Sequence, residues 1–432
     1  MNTINRRDFA KSVAALSLIS ATGITGCASV GASSNAKAKA KVVVVGGGYG
    51  GATAAKYIAM WSEGKIEVTL VERGDTFVSC PLSNLVLGGS KFISDISVAY
   101  GGLGKYGVKQ IKGEATGFDA TKKTLSLADG TALAYDRLIL SPGIDFMLES
   151  IPGLASAAAR SKVPAAWKAG PETVALRNQL VAMKDGGVYA IHIPKAPFRC
   201  PPGPYERACQ IAWYFQQAKP KSKVLILDAN EDVVSKKGLF MKAWNGQFKG
   251  IVEYRNNQEI QDVDANTNTL KMTFGEDVKA DVLNVLPPMR AGNIAAQNGL
   301  NNANKRWCQI DWLTYESTAV PGVHILGDAL QIAPAMPKSG HMANQHGKVC
   351  AAAVVALLTG DVVNQTPMVA NTCYSFIDDK NVVHVSSVHR YDIVQKTMLV
   401  VAGSGGLSTE QNALEGVYAN SWAKNIWADM LA

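Results

Sequence analysis

At 432 residues, with 47% hydrophobic and 18% charged residues and a formal charge of +8, the chain is long enough for two or three packed domains and too apolar for an extended disordered protein. No basic run with interleaved aromatics points to nucleic acid, so the positive charge reads as ordinary solvated surface. No Cys/His cluster has metal spacing, which argues against a zinc site, and without a C-x-x-C-H the chain cannot attach a c-type haem itself.

The N-terminal stretch Asn5-Arg6-Arg7-Asp8-Phe9-Ala10-Lys11, followed by the apolar run from Val13 to Ile24, reads as a twin-arginine export signal. The run is too short and too rich in Ser, Thr and Gly for a comfortable membrane span. Ile24-Thr25-Gly26-Cys27 has the form of a lipoprotein cleavage box, which would leave a lipid anchor at Cys27; otherwise cleavage falls in the small-residue stretch up to Ala40. The expectation is a periplasmic protein whose residues 1–40 are signal and linker.

Lys41 to Val45 is a β-branched run expected as a buried parallel strand. It leads into Gly46-Gly47-Gly48-Tyr49-Gly50-Gly51, a G-x-G-x-x-G turn, then an expected helix from Ala52 to Trp61 and a strand from Ile66 to Val71 closed by Glu72. That order places Gly46, Gly48 and Gly51 where backbone approaches a pyrophosphate, and the Glu72 carboxylate where a ribose hydroxyl needs an acceptor. Thr121 to Leu127 and Tyr135 to Leu140 are expected strands separated by an Asp129-Gly130 turn.

A second unit follows with a helix from Pro171 to Lys184 and a strand from Val188 to Ile193. The next loop, Phe198-Arg199-Cys200-Pro201-Pro202-Gly203-Pro204-Tyr205-Glu206, stands where a second nucleotide would need its own glycine turn. Prolines and a cysteine do not supply one, which points to sulfur chemistry rather than NAD. A helix from Glu206 to Gln217 and a strand from Lys223 to Leu227, closed by Asp228, complete a nucleotide-domain skeleton with its phosphate loop replaced. Asn256 to Lys279 reads as a β-meander, and Asp281 to Leu286 as a returning strand.

Thr318 to Asp328 is a turn and a buried strand ending in Gly327-Asp328. In flavoproteins an aspartate in that position accepts from the ribitol chain, with glycine beside it for close approach. The helix expected from Ser339 to Leu358 can turn its positive end toward a reduced flavin. Lys338 just before it either adds positive charge there or is a solvated surface lysine. Residues 372–402 read as antiparallel strands, and the chain ends in a short helix carrying Trp422, Ile426, Trp427 and Leu431, read as helix core, a cap over the cofactor or a partner surface. Residues 403–421 read as polar. The seven cysteines are Cys27, Cys80, Cys200, Cys209, Cys308, Cys350 and Cys373, and their connectivity is open at this level.

Together these residues resemble the flavoprotein subunit of flavocytochrome c sulfide dehydrogenase. The segments that carry the resemblance are Val42 to Gly48, Ser79-Cys80-Pro81-Leu82-Ser83-Asn84, Ala196 to Ala208, Leu286 to Gly292, Met336-Pro337-Lys338-Ser339-Gly340 and Asn371-Thr372-Cys373-Tyr374-Ser375. The resemblance implies an α/β, glutathione-reductase-like fold: an FAD-binding Rossmann-type domain (41–157 and 291–365), an inserted pseudo-NAD-binding domain (158–290) and a C-terminal α+β domain (366–432) that caps the flavin or meets a partner. It implies FAD bound covalently through Cys80, although Pro81 replaces the tyrosine usual in the family. It implies a redox disulfide between Cys200 and Cys373, whose other reading is a structural staple, and sulfide oxidation with a separate c-type cytochrome subunit as electron acceptor. Glu206 is the proton acceptor in that scheme, or else a first-turn carboxylate favoured by the helix dipole, or a partner of Arg199. Cys209 and Cys350 read as small buried hydrophobes, and no role follows for Cys308. The alternatives are a sulfide:quinone oxidoreductase and a non-catalytic sulfur-binding or redox partner of the same fold.

Overall fold

Four valines in a row, Val42 to Val45, are all buried, so their strand lies in the middle of a sheet rather than at an edge. In the computed structural model, which describes residues 39–432, this strand is β1 (Ala40–Val45). Burying a valine fully is worth about 1.5–3 kcal/mol, so this short run anchors the sheet. Helix α1 (Tyr49–Trp61) follows, then β2 (Ile66–Glu72), β3 (Lys109–Lys112) and β4 (Arg137–Leu140). The helix begins three residues before the expected Ala52, because the glycine turn already carries the chain into it and the Ala52 N–H donates to the Gly48 carbonyl at 3.1 Å. The strand expected from Thr121 starts only at Thr124, since the Asp119 carboxylate accepts from the N–H groups of Thr121 and Lys122 and closes a turn there. The one expected from Tyr135 starts at Arg137; Asp136 instead accepts from the Lys41 N–H at 2.7 Å.

The second sheet is built from β5 (Val188–Ile193), helix α2 (Gly203–Ala218), β6 (Lys223–Asp228), helix α3 (Lys237–Asn245), β7 (Val252–Arg255) and β8 (Val282–Val285). Its strands are parallel in the order β7-β6-β5-β8. Helix α2 starts at Gly203, ahead of the expected Glu206, because Pro204 fits a first turn whose N–H groups have no helical partner anyway. The expected meander is present as the antiparallel strands Ile260–Asp264, Thr269–Met272 and Val278–Lys279.

Strand β9 (Val323–Ile325) pairs with β4, giving the first sheet the parallel order β9-β4-β1-β2-β3. After it come helix α4 (Gly340–Thr359), strands β10 (Met368–Phe376), β11 (Val382–Asp392) and β12 (Thr397–Val400), and helix α5 (Ala413–Leu431). The last three strands form an antiparallel sheet that opens at Met368, earlier than the expected 372. The final helix is 19 residues long, not short. Residues 403–421 are less polar than their composition suggests, since Leu407, Leu414, Val417 and Tyr418 are exposed. The export signal and Cys27 lie outside the described residues. No helix among the described residues is long and apolar enough to cross a membrane.

Candidate active site

The C-terminal ends of β1, β2 and β9 open onto a cavity of about 350 Å³, within the range of small-molecule sites. Gly48, Glu72 and Asp328 line it, and so do Cys80, Cys200 and Cys373. The glycine turn is as tight as the motif requires. Gly46 has φ +94°, and a Cβ there would sit 2.4 Å from the Ser141 carbonyl oxygen; one at Gly51 would sit 1.9 Å from the Gly46 carbonyl oxygen. A Cβ at Gly48 would meet nothing within 4 Å, so this residue leaves room on the cavity side. The Glu72 carboxylate folds back onto the turn and accepts from the Gly47 N–H at 2.6 Å.

Two buried polar atoms of cavity-lining residues have no protein partner: Asp328 Oδ1, an acceptor, and Trp422 Nε1, a donor on α5. Buried polar groups are normally paired, so an unpaired acceptor and an unpaired donor at one cavity fit a polar ligand such as FAD. Burial pushes the Asp328 carboxyl up, against the pull of Arg199 and Lys338. Gly46 to Gly51 would hold the pyrophosphate, Glu72 a ribose hydroxyl and Asp328 the ribitol chain.

Lys338 is not a solvated surface lysine. It is buried, its ammonium donates to the carbonyls of Asp328 (2.9 Å) and Leu330, and it lies 3.6 Å from the Trp307 ring centroid. Burial pushes its pKa down to about 7. It braces the Asp328 turn from behind, while Ser339, Gly340 and His341 present the start of α4 to the cavity.

The acid that would take a second ribose is already occupied. The Asp228 carboxylate at the end of β6 accepts from the Tyr205 hydroxyl (2.7 Å), the Tyr254 hydroxyl (3.2 Å) and Asn230. Its acceptors are spent inside the protein, so no ribose can use them.

Cys200 sits at φ +58°, a left-handed conformation uncommon for a residue other than glycine. Its N–H donates to the Lys338 carbonyl and its carbonyl accepts from Gly203, both at 2.9 Å, which holds the turn. Cys373 approaches from β10. All six cysteines among the described residues are free thiols, so the Cys200–Cys373 pair that the resemblance implies as a disulfide stands here in its reduced, unbonded form. The negative charge of Cys373 is among the causes that raise the Cys200 thiol, after burial. Burial also raises Cys209 and Cys350, both fully inside the core, and pushes Cys308 up to about 12.

Glu206, in the first turn of α2, is buried. One oxygen accepts from the Phe376 N–H (2.9 Å) and the other from Asn84 Nδ2 (2.9 Å). It thereby ties together the segments that carry Cys80, Cys200 and Cys373. Its partners are not Arg199, whose guanidinium donates to the Trp167 carbonyl. Burial raises the Glu206 carboxyl. Asn84 is held in turn by Arg207, whose Nε donates to its Oδ1 at 3.1 Å. Sequence reasoning missed Asn84 as a link, although it lies in a segment that carries the resemblance.

Residues 173–287 match the family model for the central part of the sulfide dehydrogenase [flavocytochrome c] flavoprotein chain. Residues 365–431 match the flavin-binding model of flavocytochrome c sulphide dehydrogenase. A flavocytochrome c sulfide dehydrogenase flavoprotein chain from Chlorobaculum thiosulfatiphilum is 56% identical over 46 residues, which is 94% of that sequence and 11% of this one. The chain belongs to this family. Residues 40–174 match the broader pyridine nucleotide-disulphide oxidoreductase model. A mitochondrial sulfide:quinone oxidoreductase from Dictyostelium discoideum is 23% identical over 299 residues, covering 67% of this chain; the match spans 65% of that relative's length. The crystal structure of the sulfide:quinone oxidoreductase from Aquifex aeolicus superposes with a TM-score of 0.71 at 15% identity, over 90% of this chain and 91% of that one, which shows the shared fold.

Proposed function

We propose that this chain oxidises hydrogen sulfide to sulfane sulfur at Cys200 and Cys373, with FAD in the cavity and a c-type cytochrome subunit as the electron acceptor. The observation that carries the reading is that these two thiols, from a loop after β5 and from β10, line the same cavity as Asp328, Gly48 and Glu72, while the acid at the end of β6 that would take a second ribose is occupied by Tyr205 and Tyr254. Hydrosulfide attacks a disulfide between Cys200 and Cys373. A new S–S bond forms to the incoming sulfur, the bond between the cysteines breaks, and its electron pair stays on the released thiolate. Bound FAD supplies a two-electron acceptor for the thiol pair that can release its electrons singly to a haem. Glu206 takes up the substrate proton; its raised carboxyl is a better base than an exposed one. Cys80 lines the cavity too and is the residue through which FAD is covalently held in this reading. The haem belongs to another chain, since this one has no C-x-x-C-H. Export by the twin-arginine route to the periplasm, with a lipid at Cys27, completes the proposal.

The exposed Leu407, Leu414, Val417 and Tyr418 favour a second reading, in which the acceptor is a quinone at a membrane surface. Turnover with a cytochrome c but not with a soluble quinone analogue separates the two. The primary test is an anaerobic titration of the holoprotein followed by flavin absorbance. Bleaching by sulfide and not by NADH is expected; bleaching by NADH alone would overturn the reading.

A further inference from the structure

Lys236 combines two unfavourable features. It is 7% exposed, and it has φ +55°, in the left-handed region where a lysine is uncommon. It caps the start of α3, far in sequence from any cysteine, and its side chain runs inward to β10 and β11. The ammonium donates to the Cys373 carbonyl (2.7 Å), the Ser375 hydroxyl (2.9 Å) and the Val383 carbonyl (3.0 Å). All three hydrogen-bond partners are neutral, and the carboxylates of Glu206 and Glu415, which favour the charge, make no hydrogen bond to it. Burying a charge with no direct ion pair is costly, and this one is placed against the backbone of a thiol.

A second feature singles out the same sulfur. Ser339 Oγ accepts the Met342 N–H at 3.0 Å as the cap of α4, so its own hydrogen goes to Asn371 Oδ1, 2.6 Å away. Asn371 meets the Cys373 sulfur with both ends of its amide: Nδ2 donates to it at 3.3 Å, and the protonated thiol donates to Oδ1 at 3.5 Å, so Nδ2 is the contact that favours the thiolate. The Cys200 sulfur receives no such donor among the described residues. Burial raises both thiols, but Lys236 and then the Asn371 hydrogen bond oppose it at Cys373, where Glu206 adds to it. At Cys200 the negative charges of Cys373 and Glu206 add to burial ahead of the relief from Arg199 and Lys236. Lys236 is in turn sensitive to Cys373, Glu206, Cys200 and Glu415; burial lowers its pKa to about 8, so its charge is present at neutral pH.

We propose that Lys236, together with Asn371, is a positioning residue for the sulfur chemistry: it stabilises negative charge on Cys373, which makes Cys373 the leaving sulfur and Cys200 the one that keeps the sulfur delivered by the substrate. When hydrosulfide attacks the Cys200 sulfur, the Cys200–hydrosulfide S–S bond forms, the Cys200–Cys373 bond breaks, and the electron pair leaves on Cys373 beside Lys236. A leaving thiol whose anion is stabilised departs faster, so attack at Cys200 is preferred over attack at Cys373.

The inference rests on the sulfide reading for the identity of the nucleophile, but its test does not need sulfide. The reduced holoprotein is labelled anaerobically with iodoacetamide across pH 6–9 and the adducts are mapped by peptide mass spectrometry. In the unmodified protein Cys373 should label at lower pH than Cys200. In Lys236→Met, Cys373 labelling below its midpoint should fall by about tenfold, the effect expected for removing one nearby opposite charge, and Lys236→Arg should retain it. An unchanged Cys373 profile in Lys236→Met overturns the proposal. If that variant does not fold, the order in the unmodified protein decides: Cys200 labelling first overturns it. Failure of sulfide to bleach the flavin would count against the proposed function and leave the labelling order intact, so the two failures are distinguishable.

Discussion

Replacing Glu206 by glutamine keeps the size of the side chain but removes its charge and one of its two acceptors. The carboxylate serves the Phe376 N–H and Asn84 Nδ2, each at 2.9 Å. Asn84 cannot flip to compensate, because its Oδ1 is held by the Arg207 guanidinium. Glutamine has one oxygen for two donors, so one buried N–H is left unpaired, at a cost of about 1–3 kcal/mol. The unfolding midpoint of the holoprotein should fall accordingly. Losing a proton acceptor should also slow sulfide-dependent flavin bleaching by about 10²- to 10⁴-fold in a stopped-flow assay. The pH dependence has a definite sign. Burial raises the folded carboxyl above its unfolded value, so the stability linked to Glu206 is full below the unfolded pKa and is lost as pH rises through the folded one. Relative to the variant, the unmodified protein should therefore lose stability as pH rises from about 4. A Glu206→Gln protein with an unchanged midpoint and bleaching rate would refute both the structural and the proton-transfer argument.

Covalent attachment predicts that acid precipitation leaves flavin in the protein pellet and that Cys80→Ala releases it to the supernatant; free flavin from the unmodified protein would rule the linkage out. In that Cys80→Ala background, Asp328→Ala should weaken FAD retention by about ten- to a hundredfold in equilibrium dialysis, the worth of a hydrogen bond to a charged group, because the otherwise unpaired Oδ1 is lost. Lys338 has a folded pKa depressed to about 7, so the stability linked to it is present above the unfolded lysine pKa and lost as pH falls through 7. The unfolding midpoint of the unmodified protein should rise from pH 7 to 9 relative to that of Lys338→Met, and parallel curves would show that the lysine stays protonated in the folded state over that range, so that burial does not depress it.

The sequence by itself determined the parts whose signals are local. A valine run, a glycine turn, a helix and an acid-terminated strand occupy Ala40 to Glu72 in unbroken order, and each step is a short-range preference of backbone or burial. The meander, the strand before Gly327-Asp328 and the helix capped by Ser339 are legible for the same reason, with ends displaced by a few residues where a side chain such as Asp119 closes a turn. Only the tertiary structure decided where side chains point and what they meet. Lys338 precedes a helix that faces the cavity, yet its ammonium turns back to the Asp328 and Leu330 carbonyls, a choice made by Trp307 and the buried loop around it. Lys236 meets the Cys373 carbonyl across 137 residues of sequence, and Glu206 joins Asn84 to Phe376 across more. Such convergences depend on how three sheets pack together, and no periodicity along the chain encodes them.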